Sequence, residues 1–201
     1  MRTFHFLIPL ILFSPFLLAK ETNMSEIQTK VKFSTTSGDF IVQLDTDKAP
    51  ITTANFITYV TEEFYTGTIF HRIIPNFMAQ GGGFDTEFNQ KDVHDPIINE
   101  ADNGLENNRG TLAMARTSDP DSATGQFFIN YKDNDFLNHT NPTPSGWGYA
   151  VFGHVIEGMD IVNKIEQGDI IEKLTIIRKG SKAESFNAKL VFGSALEEVK
   201  A

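Results

Sequence analysis

FHRIIPNFMAQGGG, residues 70–83, sets one arginine, one histidine and one glutamine among Phe70, Ile73, Ile74, Phe77 and Met78. Such a run reads as short β-structure, because apolar residues recur too closely for the polar face of a surface helix. On one continuous strand Phe70 and Arg72 would point to the same side and His71 to the other. Taken alone, Arg72 reads as the solvent edge of a core strand and His71 as a hydrogen-bonded core residue. Gly81, Gly82 and Gly83 carry neither a following GK[ST] nor a GxGxxG pattern, so they read as a tight backbone turn at a strand end rather than a phosphate loop.

Outward from this stretch the chain continues in short elements. In residues 31–44, Val31 and Phe33 alternate with Lys32 and Ser34, and Phe40, Val42 and Leu44 alternate with Ile41 and Gln43. With Ser37-Gly38-Asp39 between them they predict a hairpin. Residues 50–64 predict a helix, capped by Thr52 or Thr53, with Ile51, Ala54, Ile57, Val60 and Phe64 at helical spacing. Residues 111–115, 126–129, 150–155 and 174–178 predict strands, and residues 159–165 a second amphipathic helix. Many short strands with two helices predict an all-β-dominated barrel capped by helices, not a βαβ sheet.

The chain has 201 residues, 40% hydrophobic and 21% charged, which suits one globular domain with its own core. Its 18 Phe against 4 Tyr and 1 Trp predict a core filled by rings that need no hydrogen-bond partner. A net charge of -9 repels phosphate backbones and argues against nucleic-acid binding. With no cysteine, thiol catalysis, disulfides and thiolate metal sites are excluded. The histidines at 5, 71, 94, 139 and 154 form no i,i+4 pair and no HExxH motif, so no metal site is expected. No serine lies in a G-x-S-x-G context. Glu100 and Asp102, among Asn99, Asn103 and Gly104, read as a solvated turn.

The stretch 70–83 resembles the main signature of the cyclophilin family, F-H-R-x-I-x-x-F-M-x-Q-G-G. RGTLAMARTSDPDSATGQFFIN, residues 109–130, resembles the family's second active-site segment, and GYAVFGHVIEGMDIV, residues 148–162, its last strand–helix unit. Three motifs in order and register cover about residues 31–178, with most likeness to the bacterial branch. The resemblance implies an eight-stranded antiparallel closed β-barrel capped by two α-helices, and peptidyl-prolyl cis/trans isomerisation. It implies no cofactor and no metal. The implied partners are proline-containing peptides in unfolded or partly folded proteins.

Position by position, the resemblance places the catalytic arginine on Arg72, the proline-pocket aromatic and methionine on Phe77 and Met78, and the glutamine on Gln80. Ala115, Arg116 and Thr117 take the place of the segment that binds the substrate backbone. Arg116 stands where eukaryotic members commonly have Asn, but the key contact there is made by main chain. Gln126 and Phe128 match further pocket residues, and Leu137 a pocket wall. Phe136 and Tyr149 stand where many eukaryotic members carry Trp and His. The Phe136 exchange implies weak binding of cyclosporin-type inhibitors. The proline-rich loop at 138–147 is longer than in many relatives and reads either as a reshaped rim of the groove or as a tolerated surface insertion. A peptide-binding module that had lost catalysis would be expected to have lost Arg72, Phe77 or Gln80; all three are present. A monomer is expected.

Residues 4–18 are apolar apart from His5, Ser14 and two prolines, follow Arg2, and precede Ala19 and the polar stretch Lys20-Glu21-Thr22-Asn23. This is the pattern of a secretory signal at 1–19, too short for a membrane span. A polar leader at 20–30, a domain at 31–180 and a tail at 181–201 follow, giving a periplasmic protein with no membrane association after signal removal. A start at Met24 would give a cytoplasmic protein instead. Export predicts a mature amino terminus at Lys20 in the periplasmic fraction. Amino-terminal sequencing that finds Met24 or Ser25 on a cytosolic protein would establish the alternative.

Overall fold

The computed structural model describes residues 28–178. The expected signal segment, most of the polar leader and the 181–201 tail lie outside the described residues. The expected hairpin is present as β1 (Lys30–Thr35) and β2 (Gly38–Leu44). Gly38, at φ +122°, lets the chain reverse within two residues, and the Thr35 hydroxyl donates to the Gly38 carbonyl at 2.7 Å. Helix α1 (Pro50–Thr61) comes next, then β3 (Thr68–Ile69), β4 (Arg72–Ile74) and β5 (Met78–Gly81). After a long connection come β6 (Thr111–Met114), β7 (Phe127–Asn130) and a 3-10 turn at Asp135–Leu137. The described chain ends with β8 (Val151–Glu157), a single-turn helix α2 (Met159–Val162) and β9 (Ile170–Arg178).

The strands form one antiparallel sheet in the order β3-β9-β1-β2-β8-β6-β7-β5-β4. Its two ends, β3 and β4, are separated in the chain only by Phe70 and His71. Beyond β5, the Ile69 N–H donates to the Phe84 carbonyl at 2.9 Å and the Gly82 N–H reaches the Ile69 carbonyl at 3.4 Å. The sheet therefore curls until its edges meet in one broken strand, and the eight expected strands appear as nine. The break corrects another expectation. Phe70 and Arg72 do not share a face: Phe70 is buried against Phe127 at a ring separation of 6.2 Å, while Arg72 is exposed. Pairing changes partner between them, so the period of two does not carry across.

Inside the barrel the expected phenylalanine core is present. Phe33, Phe40, Phe56, Phe70, Phe127 and Phe152 are all essentially fully buried. Phe33 stacks on Phe40 at 4.6 Å, and Phe127 meets Phe33 edge-on at 5.7 Å. Helix α1 supplies Phe56, which lies 5.8 Å from Phe127 and 5.2 Å from Phe152 and so closes the barrel mouth. The helix is shorter than expected and is not buried along one stripe only: Thr52, Thr53, Asn55, Phe56 and Tyr59 are buried as well as Ala54, Ile57 and Val60. Its second face is covered by later chain. Asn55 Nδ2 donates to the Thr124 carbonyl at 2.7 Å, and the Tyr59 hydroxyl accepts from the His94 N–H at 2.9 Å.

Neither Thr52 nor Thr53 caps this helix. Ala49 is the N-cap and offers no side-chain oxygen. The Glu100 carboxylate does the work from 49 residues away, accepting from the Ile51 N–H at 3.0 Å and from the Thr52 N–H and hydroxyl at 2.8 and 2.7 Å. An anion fits the unsatisfied amides and positive dipole end of a helix. Glu100 is therefore not part of a merely solvated turn. Glu100→Ala is expected to lower unfolding stability by about 1–3 kcal/mol, the range for a cap bonded to a charged group. A denaturant midpoint that falls at unchanged slope is the expected reading.

Candidate active site

The site grows from a single row across the outer face of the barrel. Arg72 on β4 pairs with Gln80 on β5, Gln80 with Phe128 on β7, Phe128 with Ala113 on β6, and Ala113 with Val151 on β8. Directly opposed residues share a face, so their side chains meet. One residue along each strand, Ala79, Phe127, Ile129, Leu112 and Phe152 point inward to the phenylalanine core. The outer row gathers Met78, Ala113, Phe128, Leu137 and Val151 into a second apolar cluster, with Phe77, Ala115 and Tyr149 packed against it.

Above this cluster lies a pocket of about 200 Å³ lined by Arg72, Phe77, Met78, Gln80, Ala115, Arg116, Phe128, Leu137 and Tyr149. Nine of the twelve residues singled out from the sequence are thus brought to one cavity. Thr117 and Gln126 line an adjoining hollow of about 330 Å³, shared with Gln80, Ala115 and Arg116. Phe136 lines neither. It is 71% exposed and stacks on Phe77 at 5.6 Å, forming an outer ledge. His71 stays off the pocket, with its ring 4.6 Å from Phe84; burial pushes its imidazole below the usual pKa and favours the neutral form.

Polar groups define one side. Arg72 Nη1 donates to Gln80 Oε1 at 3.3 Å, and Gln80 Nε2 donates to Gln126 Oε1 at 3.1 Å. Gln80, held at both ends, gives the guanidinium a hydrogen-bonded anchor at the pocket rim. Here the glycine triplet acts through space rather than as a turn alone. A Cβ on Gly83 would run into the Gln126 side chain, and one on Gly82 would lie 2.8 Å from both Phe127 and Tyr65. At the next position the Ala115 N–H donates to the Gln126 carbonyl at 3.0 Å. Among the described residues no hydrogen-bond partner meets the Arg116 main-chain N–H or C=O, which leaves both able to bind an extended peptide.

Three buried asparagines escaped the sequence reading. The Asn134 amide donates to the Phe77 carbonyl at 3.0 Å and to Asn130 Oδ1 at 2.8 Å. Asn130 in turn donates to Asn107 Oδ1 at 3.2 Å. Asn107 donates to the Leu137 and Tyr149 carbonyls, each at 3.3 Å. The backbones behind three pocket walls thus share one amide network. Asn107, Asn130 and Asn134 are almost fully buried. Asparagine in sequence signals turns and caps, so nothing local marked these three as one network.

The pocket holds several times the ~30 Å³ share of one water molecule, so it suits a small ring. Its floor is apolar, its rim carries the Arg72 guanidinium and the Gln80 amide, and its edge offers the main-chain groups of Arg116, unpaired among the described residues. Chemically, this arrangement can accept an extended chain with one apolar group inserted and can offer a hydrogen bond beside it. No group of His, Asp or Glu positioned to hold a metal ion occurs among the described residues.

Residues 30–181 match the family described as cyclophilin type peptidyl-prolyl cis-trans isomerase/CLD. The peptidyl-prolyl cis-trans isomerase cyp18 of Streptomyces antibioticus is 57% identical over 136 residues, which is 68% of this chain and 82% of that one. Peptidyl-prolyl cis-trans isomerase B of Escherichia coli K12 is also 57% identical over 136 residues, 68% of this chain and 83% of that protein. Among solved structures, a cyclophilin type isomerase of Cryptosporidium parvum, crystallised in the presence of the dipeptide Ala-Pro, superposes with a TM-score of 0.57 at 26% identity. It covers 75% of this chain and 99% of that one. A curled antiparallel barrel with its pocket on the outer face, and sequence identity of this extent, have one common reading: the chain belongs to the cyclophilin-type peptidyl-prolyl cis/trans isomerase family.

Proposed function

We propose that this isomerase accelerates rotation about Xaa-Pro bonds by seating the proline ring in the apolar pocket while Arg72 donates a hydrogen bond to the nitrogen of the twisted amide. The observation that carries this reading is the Arg72 guanidinium, hydrogen-bonded to Gln80 at the rim of a pocket floored by Met78, Phe128 and Leu137. The uncatalysed reaction takes tens to hundreds of seconds because rotation breaks amide resonance. No covalent step is required, so catalysis must come from binding the twisted form better than either planar form.

As resonance is lost the lone pair returns to the prolyl nitrogen, which becomes a good acceptor only near the transition state. A preorganised cationic donor beside it acts selectively there. Guanidinium suits this role because it stays charged and presents its N–H groups in a rigid plane. One charge-assisted bond of about 1.5–3 kcal/mol supplies only about ten- to 150-fold. The remainder is assigned to the pocket, where Phe77, Met78, Phe128 and Leu137 hold the ring still. Gln80 and the free main chain of Arg116 hold the peptide on either side.

The proposed substrates are proline-containing segments of unfolded or partly folded proteins, met by a monomer in the periplasm after removal of residues 1–19. Arg72→Ala is expected to lower kcat/KM on a short Ala-Pro peptide by about a hundredfold or more in a protease-coupled assay. Arg72→Lys should regain only part of this, since ammonium keeps the charge and loses the fork. Near wild-type turnover by a folded Arg72→Ala protein would remove Arg72 from the mechanism.

Weak cyclosporin binding is proposed from Phe136. This ring is an exposed ledge without a donor, where an indole would present an N–H. Phe136→Trp should tighten the inhibitor and change peptide turnover little. Unchanged inhibitor affinity would shift the cause to the 138–147 loop or to Tyr149.

A further inference from the structure

We propose that the Arg116 side chain is a positioning residue for the proline pocket, locking the 138–148 loop and the Tyr149 ring into one rigid wall. The inference rests on the pocket being the proline site, and it assigns a role to the side chain beyond the main-chain contact expected at this position. The guanidinium donates in three directions: Nε to the Gly148 carbonyl at 2.8 Å, Nη1 to the Thr117 carbonyl at 2.9 Å, and Nη2 to the Pro144 carbonyl at 3.2 Å. Its face lies 4.6 Å from the centre of the Tyr149 ring. Among the described residues it forms no ion pair with a carboxylate. Its charge is directed entirely at carbonyl dipoles and a ring face, a pattern that needs a planar fork and that lysine does not reproduce.

What this clamp holds is part of the pocket. The loop begins at Leu137 and returns at Tyr149, both pocket walls, and the Tyr149 N–H donates to the Leu137 carbonyl at 2.9 Å. Gly148, at φ +84°, closes the stem so tightly that a Cβ there would lie 2.6 Å from the His139 nitrogen. Tyr149 meets Phe128 edge-on at 5.7 Å, so its ring braces the Phe128 ring on the pocket floor. A shift of the loop at Pro144 is therefore transmitted through Arg116 to Tyr149 and then to Phe128. The loop lines no part of the pocket itself, but its two stems, Leu137 and Tyr149, do.

A surface tether and a positioning residue differ in what their loss does to binding. Arg116→Gln is expected to raise both KM and the Kd of an Ala-Pro peptide about tenfold, the size of one charge-assisted contact, with kcat within about twofold. Tm should fall by less than about 4 °C, and hydrogen exchange at the Tyr149 amide should quicken. Arg116→Lys should behave like Arg116→Gln, since restoring charge does not restore the fork. Tyr149→Leu keeps the three carbonyl bonds and removes the ring. It should also weaken binding, and the double variant should lose less than the product of the two single losses. Wild-type KM and Kd in folded Arg116→Gln protein would overturn the proposal, whether or not the loop amides exchange faster; so would full rescue by lysine. If Arg116→Gln does not fold, Arg116→Lys and Tyr149→Leu decide the matter by the same binding measurement. If the wild-type protein binds the peptide without isomerising it, the catalytic reading fails while the Kd comparison still judges Arg116. If it binds no proline peptide, both fail.

Discussion

The two-residue period of the strands is the constraint on which both the core and the site depend. On β7, Phe127 and Ile129 face inward, and Phe128, between them, faces out. The inward ring packs against Phe33 and Phe56 and belongs to the sealed interior. The outward ring is the floor of the pocket. Slipping the register of β7 by one residue would exchange the two sets and abolish both. The same alternation on β5 puts Ala79 inside and Met78 and Gln80 outside. The barrel is thus a wall with a packed back, and the site is mounted on its front.

Rigidity reaches the pocket from three directions. The phenylalanine core and α1 lie behind it, and the Glu100 carboxylate holds the start of that helix. The Asn107–Asn130–Asn134 network ties down the backbones of Phe77, Leu137 and Tyr149. Gln126, given room by Gly83, steadies Gln80 and through it Arg72. A catalyst that works by differential binding needs its donor and its ring pocket placed before the substrate arrives, because reorganisation during rotation would consume the gain. Asn134 and Asn107 donate to backbone carbonyls on the pocket side, with Asn130 between them, which makes the network an orienting frame rather than isolated polar burial.

Much of this was legible in the sequence. Alternation at residues 31–44 announced the first hairpin, and helical spacing after Pro50 announced α1. The run at 70–83 supplied Arg72, Phe77, Met78 and Gln80, and the resemblance it shares with the two later motifs named the rest of the pocket. What stayed hidden has physical reasons. Helix α1 is covered on two faces, so its spacing exposed one stripe and concealed Phe56 and Tyr59 as core. Its cap lies in a distant acidic turn, where local signals cannot identify a partner. The break at Phe70-His71 depends on a change of strand partner, which period-two reasoning along one segment does not see. Arg116 read as a substitution that a main-chain contact tolerates, and the 138–147 loop as either a reshaped rim or an insertion; only the folded chain places three carbonyls and a ring around one guanidinium.

The central claim is that Arg72 acts on the twisted amide and hardly at all on the planar one. It is tested most directly by measuring, on the same proline peptide, the Kd and the rate of cis/trans exchange on the protein by nuclear magnetic resonance. Wild-type and Arg72→Ala proteins are compared at matched saturation. If the account is right, Kd changes by no more than about threefold while bound-state exchange slows by about a hundredfold, the signature of an interaction made only in the transition state. If Kd weakens in step with the rate, or bound-state exchange keeps its wild-type rate, Arg72 serves ground-state binding and the mechanism is contradicted.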